Sequence, residues 1–307
     1  MVPTALARIA GAVAASLGVP VVGMDPLRGG DVADAYRVEL AGGRTVFAKT
    51  HRAPPPGFFT TEAAGLAWLG AAGALPLPAV LAVSDGDGDG DGDGDGDGEG
   101  PALLVLEWVD EDRRAAPDDA AFGRALAAVH TAGAPTFGRT DGRTTGSRRL
   151  PNEPGASWAD FYAGQRLAPL ARLVRDAGHL GHAASRLAAG LETVAAGAAE
   201  LAGPPEPPAR LHGDLWAGNR LVDRHGRSWL VDPACFGGHR EFDLAMMRLF
   251  GGFGDDVFAA YAEVAPLAEG WEERVPLHHL APLAVHALKF GGGYGPALDR
   301  ALGALGA

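Results

Sequence analysis

The segment Leu211-His212-Gly213-Asp214-Leu215-Trp216-Ala217-Gly218-Asn219, with Val231-Asp232-Pro233 after it, constrains this chain more than any other feature. It sets an Asp, an Asn five residues later and a second Asp beyond a short strand–turn–strand stretch. Phosphoryl transfer needs such a set. One carboxylate orients and deprotonates an attacking hydroxyl, while an amide oxygen and another carboxylate hold Mg²⁺ on nucleotide phosphates. A fold that carries the motif must bring a loop and a neighbouring turn to one point.

At 307 residues the chain is long enough for about two domains and a substantial core. The net charge of −12, with no compensating basic stripe, argues against nucleic acid as partner. Much of that charge sits in one tract, Asp85 to Gly98, of seven Asp-Gly dipeptides. Without an apolar side chain, and with maximal backbone entropy, the tract reads as a disordered, solvated insertion between two strands. A Ca²⁺ loop would need Glu at its twelfth position, and Glu99 is out of phase with every Asp of the tract. The one cysteine, Cys235, excludes an intrachain disulfide and reads as buried and inert. Gly11, Ser16, Gly18 and Pro20 interrupt the apolar start, so neither a secretory signal nor a membrane span is expected. A cytoplasmic, monomeric protein is the plain expectation.

Residues 1–20 read as an amphipathic helix. Strands follow around Ala35–Leu40 and Arg44–Lys49, divided by a Gly42-Gly43 turn and preceded by the Gly-rich Leu27-Arg28-Gly29-Gly30-Asp31. Thr60–Ala72 reads as a helix with Thr60 or Thr61 as N-cap, and Ala79–Val83 and Ala102–Val109 as strands. Beyond a hinge near Glu107–Asp112 the pattern turns helical: 118–131, 157–177, 180–201, 242–249, 255–264 and 275–290. This is an α+β organisation, with a β-rich nucleotide-binding lobe over 1–108 and a mainly helical catalytic and substrate lobe over 109–307.

Lys49, at the end of a strand, suits a phosphate-pairing lysine, and Glu62 on the next helix suits its carboxylate partner. Taken alone, each also fits an ordinary surface role. Gly29, Gly30 and Asp31 offer close backbone approach to phosphates, and Glu107 and Val109 of the hinge complete the candidate nucleotide contacts. Asp214 is the candidate base, and Asn219 and Asp232 are the candidate Mg²⁺ ligands. Trp216 either stacks on substrate or packs under the loop. His212 and Asp243 read as loop braces, with Asp243 an N-cap.

The Asp-x4-Asn spacing also occurs in the protein-kinase catalytic loop, with His-Gly-Asp here in place of His-Arg-Asp and Val-Asp-Pro in place of Asp-Phe-Gly. The whole set resembles the fructosamine kinase (ketosamine-3-kinase) family, which sits beside the aminoglycoside phosphotransferases among protein-kinase-like folds. The resemblance is carried by His212–Asn219, Asp232-Pro233-Ala234, Gly238-His239-Arg240-Glu241, Asp243–Met246, Leu249–Phe253, Phe290–Tyr294, Gln165-Arg166-Leu167 and, earlier, Lys49 and Glu62. It implies a two-lobed kinase fold using ATP and Mg²⁺ to phosphorylate the sugar 3-hydroxyl of ketosamines, which frees the amine and repairs glycation. It implies Asp214 as base, Asn219 and Asp232 on Mg²⁺, and Lys49 with Glu62 on the phosphates. An aminoglycoside- or amino-alcohol-type phosphotransferase is the first alternative and a non-catalytic pseudokinase the second; the latter predicts loss of one of four residues that are all present. Two departures stand out. Some relatives carry a cysteine in the Gly-rich loop that supports a redox-sensitive dimer; Asp31 stands there, so no such switch is expected. Arg139–Gly146 replaces an Asp-Asn-aromatic-Ile-Gly segment, so sugar specificity is expected to differ if that segment touches substrate.

Overall fold

The structure is a computed structural model, and it describes residues 5–27, 33–86, 100–146 and 148–307. Gly29, Gly30 and Asp31, and the Asp-Gly tract from residue 87 on, lie outside the described residues.

In chain order the elements are α1 (Ala5–Leu17), β1 (Val21–Leu27), β2 (Asp34–Leu40), β3 (Thr45–Thr50), α2 (Phe58–Gly70), β4 (Val80–Ser84) and β5 (Leu103–Glu107). There follow α3 (Asp119–Thr131), α4 (Trp158–Tyr162), a π-turn at Ala163–Leu167, α5 (Ala168–Arg175), α6 (Ala183–Ala196) and α7 (Ala198–Leu201). Short strands β6 (Ala209–Leu211), β7 (Arg220–Val222), β8 (Ser228–Leu230) and β9 (Phe236–Gly238) precede α8 (Glu241–Phe250), α9 (Asp255–Val264), α10 (Trp271–Phe290) and α11 (Tyr294–Ala304). No helix among the described residues is long and apolar enough to cross a membrane.

The first five strands form one antiparallel sheet in the order β1-β2-β3-β5-β4. The apolar run Leu103-Leu104-Val105-Leu106 is buried throughout because helices cover both sheet faces. Leu103 and Val105 pack with Val46, Ala48, and Ile9 and Val13 of α1. Leu104 and Leu106 pack with Phe59 and Leu66 of α2. The same two-residue alternation in β3 turns Phe47 and Lys49 toward α2. Strand pattern alone therefore aims Lys49 at the helix that carries Glu62.

Helix α2 begins two residues earlier than expected, with Gly57 in the left-handed region as its N-cap (φ 76°). Thr60 and Thr61 lie inside the first turn. The cap comes instead from Asp85, whose carboxylate accepts from the backbone N–H of Phe59 (2.6 Å) and Thr60 (3.2 Å) and from Thr60 Oγ1 (2.6 Å). The first Asp of the Asp-Gly tract is thus part of the fold, and the insertion begins after it. A carboxylate on free helix amides also meets the favourable end of the helix dipole.

The helix expected over 157–177 starts as foreseen, with Ser157 capping Asp160 N (3.1 Å), but a π-turn at Ala163–Leu167 breaks its regular winding. The extra residue rotates Arg166 into the interior, between the rings of Phe161 and Phe236 (4.7 and 4.3 Å). Helices α6 and α7 part at Gly197 where one helix was expected, and α10 starts a turn before Val275. Helix α11 was not anticipated from the sequence. The largest core of the helical part joins Trp158, Phe161, Tyr162 and Leu170 to Phe236, Phe242, Leu280 and Leu298. A second core gathers Phe122, Leu126, Leu215, Leu244 and Tyr261, with Leu215 drawn from the His212–Asn219 segment.

Candidate active site

Strand β6 delivers the His-Gly-Asp loop, and buried polar groups hold it. Asp243, fully buried in the first turn of α8, accepts from the backbone N–H of His212 (2.7 Å) and of Gly213 (2.9 Å). His130 lies 3.2 Å from the same carboxylate and 2.8 Å from the Tyr261 hydroxyl. Asp243 is the brace expected of it but not an N-cap, since α8 begins at Glu241. His212 Nε2 sits 3.0 Å from the Val231 carbonyl, and burial pushes its pKa down, so it stays neutral as a loop brace. Gly213 adopts φ 80° and its α-carbon faces the Ala234 carbonyl, where a Cβ would collide.

Asn219 donates from Nδ2 to the Asp214 carbonyl (2.8 Å) and to Asp214 Oδ2 (3.2 Å). That commits the amide nitrogen and leaves the amide oxygen as a hard donor. Asp232 has φ 55°, one of only two non-glycine residues in the left-handed region among the described residues. Such a conformation is uphill for an L-residue and persists where the surroundings enforce it. The carboxylate of Asp232 is 46% exposed and receives an ion pair from Lys49. Lys49 also donates to Glu62 Oε1 at 2.8 Å. Burial opposes the charge on Lys49, but the two carboxylates outweigh it and its pKa is raised. Asp214 behaves oppositely. Burial lifts its pKa to about 6, the Asn219 hydrogen bond opposes this, the charges of Asp232 and Asp243 add to it, and Lys289 pulls it down. Two carboxylates and an amide oxygen with no soft ligand among them suit Mg²⁺ rather than zinc.

One cleft of about 1030 Å³ collects these groups. Lys49, Glu62, Glu107, Val109, Asp214, Trp216, Asn219 and Asp232 all line it. Glu107 ends β5, and its carboxylate accepts from Ala79 N (3.2 Å). Trp216 is 40% exposed; its ring lies over Gly218, where a Cβ would collide with it, and packs edge-on against Phe250 (6.0 Å). Cys235 is buried with its thiol pKa pushed up, and it contacts the Gly65 carbonyl of α2 (3.5 Å).

Several participants were missed from sequence. Arg143, in the departing 139–146 segment, donates to Thr60 Oγ1 (3.1 Å) and Thr61 Oγ1 (3.3 Å) and so ties that segment to the start of α2. Arg139 of the same segment pairs with Asp141 (2.6 Å) and reaches the Cys235 carbonyl (2.9 Å). Arg148, Arg149, His286 and Lys289 line the cleft as well. No local pattern announces them, because they come from a loop and from the late helix α10.

The fructosamine kinase family model matches residues 7–305. The chain belongs to the fructosamine kinase family. It is 36% identical to a protein named as a probable ketoamine kinase of Thermus thermophilus, over 99% of this chain and all of that one. A similarly named Lactiplantibacillus plantarum protein is 33% identical, with 91% and 92% covered. Among solved structures, that of a protein named as a putative fructosamine-3-kinase from Thermobifida fusca superposes with a TM-score of 0.83 at 41% identity, covering 97% of this chain and 99% of that one. An aminoglycoside phosphotransferase solved with ADP and hygromycin B shares the fold alone, at TM-score 0.57 and 13% identity over 97% and 98% of the two chains. This family member is therefore a phosphotransferase with a two-lobed, protein-kinase-like α+β fold.

Proposed function

We propose that the protein transfers the γ-phosphoryl group of ATP to the sugar 3-hydroxyl of ketosamines, destabilising the adduct and freeing the amine. The observation that carries this reading is the meeting of Lys49, Glu62, Asp214, Asn219 and Asp232 on one cleft of a fructosamine kinase family member. Relatives named ketoamine kinases supply the substrate class.

Asp214 takes the proton of the acceptor hydroxyl as its oxygen attacks the γ-phosphorus and the bond to the β–γ bridging oxygen breaks. A carboxyl whose pKa is raised to about 6 is mostly ionised at neutral pH and is a stronger base than an ordinary aspartate. Asn219 fixes its orientation through Nδ2. The amide oxygen of Asn219 and the carboxylate of Asp232 would hold Mg²⁺, which when bound neutralises charge on the β- and γ-phosphates. Lys49, steadied by Glu62, is the phosphate partner on the other side, and Glu107 and Val109 of the hinge face the nucleotide base. Gly29, Gly30 and Asp31 keep their proposed role as contacts to the nucleotide phosphates. The lobes 1–108 and 109–307 are the units that close on the nucleotide, and Trp216 forms one wall of the acceptor site.

ATP turnover with a ribulosamine, a fructosamine and an aminoglycoside, side by side, tests the reading. Ketosamine-dependent ADP formation is expected, reduced about 10²–10⁴-fold in Asp214→Asn. Turnover with the aminoglycoside and neither ketosamine would overturn it.

A further inference from the structure

The chain contains 24 arginines and only two lysines, Lys49 and Lys289. Both line the same cleft. Lys49 belongs to the phosphate clamp, which leaves Lys289, near the end of α10, to be explained.

Lys289 is half-buried, and its charge acts on Asp214. It therefore lies on the cleft wall within electrostatic reach of Asp214. Arg148 is fixed close by, because its Nη2 donates to the carbonyl of Leu288, the residue before Lys289 (2.7 Å). Arg149 follows and lines the cleft too, with an exposed side chain and φ 49°. It is the other non-glycine residue in the left-handed region, the first being Asp232. The backbone around Arg149 is pinned: Thr145 and Leu150 exchange both backbone hydrogen bonds (2.9 Å each), and Arg149 N donates to Gly146 O (2.9 Å). Asn152 holds Thr145 Oγ1 (2.6 Å) and is itself held by the buried Arg166 (2.6 Å). An enforced left-handed arginine on a braced turn is an expensive way to present a mere surface charge.

The cleft carries charge of both signs: the carboxylates Glu62, Glu107, Glu111, Asp214 and Asp232 line it, and so, in addition to Lys49, do Arg148, Arg149 and Lys289. The nitrogen of a ketosamine is a protonated secondary amine at neutral pH. Three cations beside it raise the energy of any substrate that brings no negative charge of its own.

Resting on the ketosamine-kinase reading, we propose that Arg148, Arg149 and Lys289 form an anion-recognising subsite at the acceptor end of the cleft. Its ligand is a carboxylate on the amine carrier, so the preferred acceptors are ketosamines of amino acids with a free carboxylate close to the glycated nitrogen. Arg149 presents a planar fork matched to a carboxylate, and Lys289 a compact point charge.

The test measures kcat/KM for the ribulosamine of glycine, the ribulosamine of glycinamide, and a glycinamide adduct carrying a phosphate on the sugar. The expected result is a preference of about tenfold or more for the carboxylate over the amide, the size of a partly exposed charge-assisted contact. In Arg149→Ala that ratio falls toward one, and Arg149→Lys restores part of it; the exposed position of Arg149 makes folding of both variants secure. A preference for the sugar phosphate over the glycine adduct would place the anion on the sugar and overturn the carboxylate assignment. Equal kcat/KM for acid and amide in the wild type, or an Arg149→Ala effect confined to the KM for ATP, would overturn the subsite. Absence of turnover with every ketosamine would overturn the parent reading and the assigned ligand with it, whereas turnover at a ratio near one sinks the subsite alone.

Discussion

The His-Gly-Asp loop and the Lys49–Glu62–Asp232 cluster face one cleft, yet different kinds of bond hold them. The loop is tied by neutral backbone donors to one buried carboxylate, Asp243, and by the Asn219 amide to Asp214. The cluster is held by ion pairs between side chains from three separate elements, with Asp232 open to solvent. Buried backbone hydrogen bonds have no partner to exchange for, so the loop is rigid before substrate arrives. Ion pairs that line a cleft can be traded for phosphate oxygens, so the cluster is built to be rearranged. In the proposed reaction a base must wait in place, and a phosphate clamp must let go.

The largest expected effect follows from breaking the rigid side. Asp243→Ala leaves the N–H groups of His212 and Gly213 buried without acceptors and should cost about 2–4 kcal/mol of stability, read from the denaturation midpoint. A variant as stable as wild type would show that the loop does not depend on this brace. Next comes the exchangeable side. Glu62→Gln should raise the KM for ATP about tenfold, near 1.4 kcal/mol, with a smaller loss of stability than Asp243→Ala, since Lys49 keeps Asp232. A loss of stability comparable to that of Asp243→Ala would erase the contrast.

Asp214 sharpens it through pH. Its folded pKa, about 6, lies above the ordinary 3.8, so between those values the native state holds a proton that the unfolded chain has released. Stability from this group is present below that window and lost as pH rises through it. Two results should follow: kcat/KM falls below about pH 6, and Asp214→Asn melts higher than wild type at pH 7 while losing activity. An acid limb near pH 4 would show that burial does not tune this base. The smallest effect is expected from deleting residues 87–98, which should leave Mg²⁺-ATP affinity unchanged. Extending the deletion to Asp85 removes the cap of α2, the helix that carries Glu62, and should weaken nucleotide binding.

Much of this was legible in one dimension because it is local. Asp214 and Asn219 lie within a single turn, Asp232 follows a hairpin, and the alternation of β3 aims Lys49 without tertiary information. Asp243 was readable as a brace because its charge sits close behind the Asp232 turn. Other features escaped for an equally definite reason. Asp85 caps a helix that begins 27 residues before it, so the local sequence offered Thr60 and Thr61 instead. The π-turn at Ala163–Leu167 arises from packing Arg166 between two rings, which no helical periodicity encodes.

The sequence by itself determined the class of chemistry and the family, and named the groups proposed to carry the reaction, since those readings depend on residue types at short fixed spacings. Only the tertiary structure decided what surrounds them: the burial that lifts Asp214, the ion pairs by which Lys49 joins α2 to the Asp232 turn, and the presence of Arg148, Arg149 and Lys289 on the same cleft. Burial and electrostatic coupling depend on distance through space, and that distance is set by the packing of loops and helices far apart in the chain.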